Sequence, residues 1–242
     1  MYDTDFITNG ASTVGINPEG GYVISWKVNG ENILYMGSTI RRTGIPILFP
    51  YYGKARNREM HGFGRNSLWR IVGKTVSSAV MELIHDQVII QIKLALPDPQ
   101  QLEYTLSVVN NSEEKYPISP GLHPYWSVAH QDKKKIAIAG IESLNAASID
   151  WDNEPPDTAF PFKGRLIADL INKKIKIEEI SDHKVIKYIQ IWSQTPVRDP
   201  DFNFVCIEPI CGLNYGIDNA PILIEKNSQW EMRVRFSVLL SN

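Results

Sequence analysis

Apolar and polar residues alternate strictly along much of the chain, which predicts β-strands with one buried face. In the C-terminal segment WEMRVRFSVLL, every second residue from Trp230 to Val238 is apolar and the residues between them are polar. The same alternation runs through VIIQIKLAL, from Val88 to Leu96, and resumes in QLEYTLSVV after the sequence PDPQ. We therefore predict a hairpin whose two strands are joined by four residues, Pro97 to Gln100.

The remaining pattern predicts further strands and little helix. The segments GGYVISWKVNG, SSAVMELIHD and VIKYIQIW also alternate, and turn sequences such as Asn29-Gly30 separate them. A helical turn or two is expected only in IADLINKKI, from Ile167 to Ile175. Many strands joined by short turns predict an all-β fold, a large antiparallel sandwich or barrel, with residues 1–242 as a single domain.

Composition excludes several classes of partner. The 25 basic and 27 acidic residues nearly cancel, so no overall field would attract nucleic acid or an anionic membrane, and the expected partner is a small molecule. No window approaches the ~20 apolar residues of a membrane span, and we expect a soluble, unsecreted, cytoplasmic protein, monomeric by default. Cys206 and Cys211, spaced C-x4-C, fit neither a disulfide framework nor a zinc motif, and we interpret them as ordinary reduced thiols.

Three segments do not alternate, namely Arg41–Asn66, Pro117–Gln131 and Asp150–Phe162, and loops on a rigid sheet are where sites tend to lie. The first interleaves cations with aromatic rings, a combination that suits a polyhydroxylated or phosphorylated ring compound. Arg42 and Arg65 each lie in a turn that contains glycine, where the backbone can approach a ligand. Three other cations of this segment are interpreted as a solvated basic loop: Lys54, Arg56 and Arg58.

Two histidines are candidates for chemistry. His123 lies in SPGLHPYW, between a glycine turn and two aromatic residues, and a histidine held in this way can both give and take a proton near neutral pH. A packed core histidine is the alternative. His61 stands at a glycine turn, where a structural hydrogen-bonding role is the simpler interpretation.

Glu208 is the candidate carboxylate. In FVCIEPICG it shares one side of a strand with Phe204, Cys206 and Ile210. A carboxylate on an apolar face is costly without a partner, so a salt bridge to an arginine is one explanation. The other is a general base whose pKa burial raises toward neutrality. Four further residues receive no role: Asp152, Asp157, Asp182 and His183.

Four segments in order, RTGIPILFPYYG, HGFGRNSLW, LHPYW and VCIEP, resemble the signature segments of the aldose 1-epimerase (galactose mutarotase-like) family. The resemblance runs from about Gly20 to Leu240 and is greatest to the hexose-6-phosphate mutarotases. It implies a β-supersandwich, a sugar or sugar-phosphate substrate, and acid/base ring opening without a metal or organic cofactor. It further implies that Glu208 is the general base, that His123 is the general acid, and that the substrate is oriented by Arg42, His61 and Arg65.

Two positions depart from the phosphosugar branch. Met60 stands where glutamine is common, and Thr43 where glycine is common, so one polar contact to the substrate is missing. The two arginines still favour an anion, and phosphorylated and free hexoses both stay open as substrates.

Two hypotheses of other classes stand beside an epimerase. The first is a non-catalytic carbohydrate-binding domain on the same scaffold, because fold does not fix function. The second is a glycoside hydrolase or lyase, which normally needs two carboxylates about 5–10 Å apart. Glu208 has no second carboxylate in a comparable motif, so we rank this hypothesis below the other two.

Overall fold

The computed structural model describes residues 4–141 and 144–239, so Leu240, where the predicted resemblance ends, lies outside the described residues. Within these ranges the protein is built almost entirely from antiparallel β-sheets, as the alternation predicts. In the same ranges, no helix is long and apolar enough to cross a membrane.

The strands of the described ranges are numbered in chain order from β1 to β20. They are Asp5–Asn9, Ser12–Asn17, Tyr22–Val28, Glu31–Asn32, Ile47–Leu48, Arg70–Lys74, Ser78–His85, Val88–Asp98, Gln101–Asn110, Tyr116–Ile118, Gly121–Leu122, Tyr125–Ser127, Ala137–Ala139, Asp157–Pro161, Arg165–Asp169, Lys174–Glu179, Tyr188–Trp192, Phe204–Ile210, Ile222–Ile224 and Ser228–Leu239. Helical structure there consists of α1 (Gly216–Asn219) and short 3-10 turns at Ile40–Arg42, Gly64–Asn66, His130–Lys135 and Ala146–Ser148.

Eight strands form the larger main sheet, in the order β13-β15-β16-β20-β9-β8-β7-β6. Its long central strands bury every second side chain and leave the residues between them partly exposed, as in β9, where Leu102, Tyr104 and Leu106 have no exposed surface. The predicted hairpin is confirmed, but its connection is two residues, Pro99 and Gln100, because Asp98 still pairs with Gln101. The register shifts between Ala95 and Asp98, a bulge that accommodates a proline without a backbone N–H.

The helix expected at Ile167–Ile175 is wrong, because this segment forms a hairpin of β15 and β16. Leu166, Ala168 and Leu170 are buried and alternate with more exposed residues, so the period is that of a strand. The turn between the strands includes Ile171 at φ 73°, a left-handed conformation that interrupts the alternation.

The second main sheet has six strands, in the order β14-β17-β18-β11-β5, with β12 also paired to β18. All seven residues of β18 are buried, so this strand is covered on both faces. Val205 and Ile207 belong to the main hydrophobic core, together with Ile189 and Ile191 of β17. An edge contact between Trp126 and Phe236, with ring centroids 5.5 Å apart, joins this core to the eight-stranded sheet. The side chains on the opposite face of β18 point away from the core.

Two smaller sheets complete the fold, β1-β2-β3-β4 and β10-β19. The segments predicted as irregular are mostly so, and Arg41–Asn66 contains only the two-residue strand β5 and two 3-10 turns. The other two segments also contain strands: β11, β12 and part of β10 lie in Pro117–Gln131, and the second half of Asp150–Phe162 is β14, which pairs with β17 at the end of the six-stranded sheet. This pairing fixes the backbone of β14, which begins at Asp157, at the edge of the six-stranded sheet.

Candidate active site

A cleft of about 580 Å³ opens over the face of the six-stranded sheet that is turned away from the core. Strands β14, β17 and β18 contribute to its floor, and the loops between β4 and β6 form one wall. Its lining residues are Thr39, Arg41, Arg42, Tyr52, Gly53, Lys54, Met60, His61, Arg65, His123, Tyr125, Asp157, Gln190, Trp192, Asp199, Glu208 and Asn214. The five residues predicted for the site, Arg42, His61, Arg65, His123 and Glu208, are all among them.

Glu208 reaches the cleft because of the two-residue period of β18. Val205 and Ile207 pack into the core, so the residues that alternate with them, Cys206 and Glu208, face the opposite way. Phe204 and Cys206 form a separate small cluster with Tyr125 on this face. The predicted position of Glu208 beside an aromatic ring and a thiol therefore agrees with the structure.

His123 lies between β11 and β12, and its ring is fixed by its neighbours. Its backbone N–H donates to the carbonyl of Pro46 at 3.0 Å. The imidazole stacks on Tyr125, with centroids 4.7 Å apart and planes 12° apart, and meets Trp192 edge-on at 5.6 Å. A ring held between two aromatic side chains has little freedom to rotate, so the direction of its nitrogens is set before any ligand binds.

The two side chains meet in the cleft, with 3.5 Å between His123 Nε2 and Glu208 Oε1. His123 is 6% exposed and Glu208 1% exposed. The other polar atom of each side chain, Nδ1 and Oε2 respectively, is buried without a hydrogen-bond partner among the described residues. Buried polar atoms are nearly always satisfied, so unpaired ones at a cleft indicate a place where a ligand supplies the missing partner.

Burial sets the protonation of this pair. It raises the pKa of Glu208 well above its usual range, an effect that the negative charge of Asp157 increases and the positive charge of Arg65 opposes. Burial also lowers the pKa of His123 well below its usual range, and the nearby His61 and Arg65 lower it further. Both shifts disfavour the charged form of each group, so they favour the state in which Glu208 holds the one proton of the pair and His123 is neutral.

Arg42 and Arg65 both line the cleft, and their environments differ. Arg42 donates from Nε and Nη2 to Asp199 at 3.2 and 3.1 Å, and its guanidinium lies 5.0 Å above the ring of Trp192. Arg65 donates from Nη2 to the carbonyl of Met60 at 3.2 Å, and its Nε is buried without a partner in the described part of the chain. Arg42 is therefore neutralised by a carboxylate, whereas Arg65 retains an unused donor.

His61 is held as a neutral donor. Its Nδ1 accepts the N–H of Gly53 at 2.9 Å, which leaves the ring proton on Nε2. Burial, reinforced by the charge of Arg65, lowers the pKa of His61 to about 3. The turn depends on Gly62, at φ +66°, where a Cβ would lie 2.3 Å from the carbonyl oxygen of Phe49.

The three cations interpreted as a solvated loop divide into two groups. Arg58 pairs with Asp218 at 2.7 Å, and the backbone N–H of Arg56 donates to the same carboxylate at 2.9 Å, so both are engaged away from the cleft. Lys54 instead lines the cleft, where its backbone N–H donates to Asn214 Oδ1 at 2.9 Å. Lys54 is exposed, as the solvated interpretation predicts, but unlike the other two cations it also lines the cleft.

The sequence gives no role to several polar residues that the structure brings to the cleft. Gln190 is directly opposite Glu208 in the pairing of β17 with β18. Its side-chain amide donates to Asp157 Oδ1 at 2.6 Å, which places an aspartate of β14 near the acid/base pair. One signal in VIKYIQIW could have identified Gln190. It is a polar residue within the apolar run from Ile189 to Trp192.

The two departures from the phosphosugar pattern have different structural consequences. Thr43 is buried, and its Oγ1 accepts from Gly37 N at 3.0 Å and donates to Thr39 O at 2.9 Å, so it stabilises a turn. Met60 is half-exposed and lines the cleft, where its thioether supplies no hydrogen-bond donor.

Comparison with known proteins gives a consistent result. The family model described as Aldose 1-epimerase matches residues 6–188. A protein of Cenchrus ciliaris named "Putative glucose-6-phosphate 1-epimerase" is 24% identical over 274 aligned positions, which cover 92% of this chain and 80% of that protein.

Solved structures show the same fold. A protein of Synechocystis sp. PCC 6803 superposes with a TM-score of 0.84 at 21% identity, over 100% of this chain and 97% of that one. A galactose mutarotase related enzyme of Lactobacillus acidophilus superposes with a TM-score of 0.79 at 18% identity, over 99% and 98% of the two chains. The predicted galactose mutarotase-like β-supersandwich is therefore confirmed.

Proposed function

Because the chain belongs to the aldose 1-epimerase family, we propose that it is a mutarotase that interconverts the α and β anomers of a hexose, preferentially a hexose 6-phosphate. The observation that carries this proposal is the contact of 3.5 Å between His123 and Glu208 in a buried cleft. Ring opening needs one group that accepts a proton and one that donates a proton, and this pair has the chemistry for both.

In the proposed mechanism, Glu208 takes the proton of the anomeric hydroxyl while His123 protonates the ring oxygen. The C1–O5 bond breaks, the free aldehyde forms, and the C1–C2 bond rotates. Closure on the other face of the carbonyl returns both protons and gives the opposite anomer. Ring opening in this direction starts from the form with the proton on His123, and the pair moves between its two singly protonated forms without exchanging a proton with solvent.

The other lining residues are proposed to orient the sugar. His61 offers an Nε2 donor, Arg65 an unused guanidinium donor, and Asp157 with Gln190 an acceptor and amide beside the floor. Trp192 presents an apolar ring of the kind that packs against sugar C–H groups. Arg42, fixed by Asp199, is proposed to contribute charge and position and to release Nη donors to a substrate hydroxyl.

The preference for a phosphorylated hexose rests on the charge of the cleft. Arg41, Lys54 and Arg65 line it without a partner that neutralises them in the ion pairs of the described residues, and phosphate is a strong acceptor for such groups. The name of the Cenchrus ciliaris relative specifies glucose 6-phosphate as the substrate of that protein. The missing donor at Met60 weakens one polar contact but leaves these three cations in place.

The test is the rate at which freshly dissolved α-D-glucose 6-phosphate, α-D-glucose and α-D-galactose reach anomeric equilibrium, followed by NMR or polarimetry. We expect acceleration above the spontaneous rate, greatest for the phosphate. No acceleration with any of the sugars would contradict the proposal and favour a carbohydrate-binding domain. Release of reducing sugar from a glycoside would favour a hydrolase, a hypothesis that the presence of Asp157 in the cleft makes worth measuring.

The preference for a phosphorylated hexose is tested by a matched pair of variants. Lys54→Gln removes a cation from the cleft, and we expect the KM for glucose 6-phosphate to rise roughly tenfold while that for glucose changes little. Arg56→Gln removes a neighbouring cation that is engaged with Asp218 and Asn219, and it should leave both values unchanged. Equal effects of the two variants would contradict a phosphate site at Lys54.

A further inference from the structure

A thiol lies next to the acid/base pair, and the proposed reaction does not use it. Cys206 is fully buried behind the cleft lining, two residues before Glu208 on the same face of β18. One ligand atom from each of His123, Cys206 and Glu208 forms a group in which all three atoms lie within 4.8 Å of one another. Imidazole nitrogen, thiolate sulfur and carboxylate oxygen are the three donor types that proteins use to bind zinc.

The sheet holds the three donors in place. In the strand pairing, Cys206 is opposite Tyr125 on one side and opposite Trp192 on the other. These are the same two rings that fix the imidazole of His123. The positions of all three donors therefore follow from one set of backbone pairings, and the cluster does not depend on a mobile loop.

The distances suit a tetrahedral ion after small movements. Zinc binds sulfur at about 2.3 Å and nitrogen or oxygen at about 2.0–2.2 Å, so its ligands lie roughly 3.3–3.8 Å from one another. Ligand atoms within 4.8 Å need side-chain shifts of about 1 Å or less. His123 and Glu208 each also have a buried polar atom without a partner among the described residues, so each side chain has unused capacity to bind a ligand. The fourth position would be left to water or a sugar hydroxyl from the cleft.

Nearby charges and burial limit the affinity of these three donors for a metal ion. Burial raises the pKa of the Cys206 thiol well above its usual range, and Glu208 raises it further, while Arg42 and Lys133 act in the opposite direction. A metal ion must therefore displace the thiol proton, which leaves to water, and it must tolerate two cations. The cost of removing the thiol proton and the repulsion from the two cations favour an ion that binds reversibly over a permanently bound cofactor.

We propose that His123, Cys206 and Glu208 form an inhibitory site for a thiophilic divalent cation, with Zn²⁺ as the best match. An ion held there occupies the imidazole and the carboxylate together, so neither can transfer a proton to or from a sugar. The inhibition rests on the proposed mutarotase function, whereas the binding does not. The two parts are tested by separate measurements.

Binding is measured with Co²⁺, whose thiolate complexes absorb strongly in the near ultraviolet. We expect the wild type to show a thiolate-to-cobalt band at one equivalent and Zn²⁺ to displace it. Cys206→Ser and Cys206→Ala should lack the band. Cys211→Ser is the matched control, since Cys211 is also buried but lies against Met232, outside the cluster, and this variant should keep the band. Absence of the band in wild type, or its persistence in both Cys206 variants, would overturn the site.

Inhibition is measured as the Zn²⁺ concentration that halves the rate of anomer interconversion. We expect this concentration to rise at least about tenfold in Cys206→Ser, since loss of even an outer partner of a metal ligand costs about 10–100-fold in affinity. Cys211→Ser should match the wild type, and a chelator should restore the rate. Equal inhibition of the wild type and Cys206→Ser would overturn the proposal. A protein with the cobalt band but no epimerase activity would keep the site and refute the proposed function.

Discussion

The two main sheets differ in how they treat the face that is turned away from the core. The eight-stranded sheet leaves this face partly exposed, and it carries polar residues such as Glu103, Thr105 and Arg233. The six-stranded sheet buries both faces of β18, yet its outer face carries Glu208 and is bordered by His123. Polar side chains on the first sheet are hydrated, whereas those on the second sheet are desolvated.

This difference separates stability from function. A desolvated carboxylate and imidazole with unpaired atoms reduce stability, so a stable fold alone gives no reason to retain them. The alternating apolar residues of both sheets fill one common core and need no function to explain them. The comparison therefore predicts that substitutions on the two faces of β18 act on different properties.

The core face is tested by Ile207→Ala, for which we expect the largest loss of stability. Ile207 has no exposed surface, and truncation of such a side chain lowers the free energy of unfolding by about 2–5 kcal/mol. Denaturant titration measures this loss, and the rate per folded molecule should stay within a few-fold of wild type. Ile84→Ala, on the exposed face of the eight-stranded sheet, is the control and should change stability by no more than about 0.5 kcal/mol.

The electrostatics of the cleft face are tested by Arg65→Gln. Arg65 lowers the pKa of both His123 and Glu208, so removal of its charge raises both values. The rate should fall at low pH when the pair gains a second proton and at high pH when it loses its only proton. We therefore expect both limbs of the pH profile of kcat to move to higher pH, and a shift of either limb to lower pH would contradict this assignment.

Asp157→Asn is the variant to compare with Arg65→Gln. The charge of Asp157 raises the pKa of Glu208, so its removal should move the alkaline limb to lower pH and leave the acid limb in place. The two variants thus change the profile in distinguishable ways. A profile that shifts as a whole in Asp157→Asn would mean that this carboxylate acts on both members of the pair.

The hydrated face is tested by Arg235→Gln, with the smallest expected effect. Arg235 on β20 lies opposite Glu103 on β9 and donates to it from Nε at 2.9 Å and from Nη2 at 2.6 Å. Both side chains are partly exposed, and pairs of this kind contribute about 0–1 kcal/mol. Thermal unfolding should show this small loss, and the rate of anomer interconversion should not change. A loss above about 2 kcal/mol would mean that the two sheets do not differ as described.

The sequence predicted the strands well because the two-residue period of a strand can be recognised from residues that are adjacent in the chain. It also indicated His123 and Glu208, since each lies in a distinctive local segment whose surroundings restrict its role. The hairpin at Ile167–Ile175 was missed because a turn residue with positive φ breaks a correct alternation, so that the period cannot be followed across it. Local pattern therefore determined most of the fold and the two central residues of the site.

The sequence did not predict that Asp157, Gln190 and Lys54 line the cleft, and the physical reason is a different one. Their places in the cleft follow from pairing between strands and from contacts between loops that are far apart in the chain. Cys206 was interpreted as an ordinary thiol because its spacing to Cys211 carries no metal pattern. Its proximity to His123 arises only when β12 pairs with β18. The register between two strands that are distant in the chain is a property of the folded sheet, and it cannot be inferred from local composition.

The central claim is that the desolvated face of β18 carries one proton-transfer unit made of His123 and Glu208. The most direct test compares anomer interconversion of glucose 6-phosphate by wild type, His123→Ala, Glu208→Gln and the double variant, with thermal unfolding as the control for folding. We predict that each single variant loses about 10²–10⁴-fold in rate and that the double variant is no slower than the slower single variant, because the two groups act as a unit. A folded single variant that keeps the wild-type rate would contradict the claim.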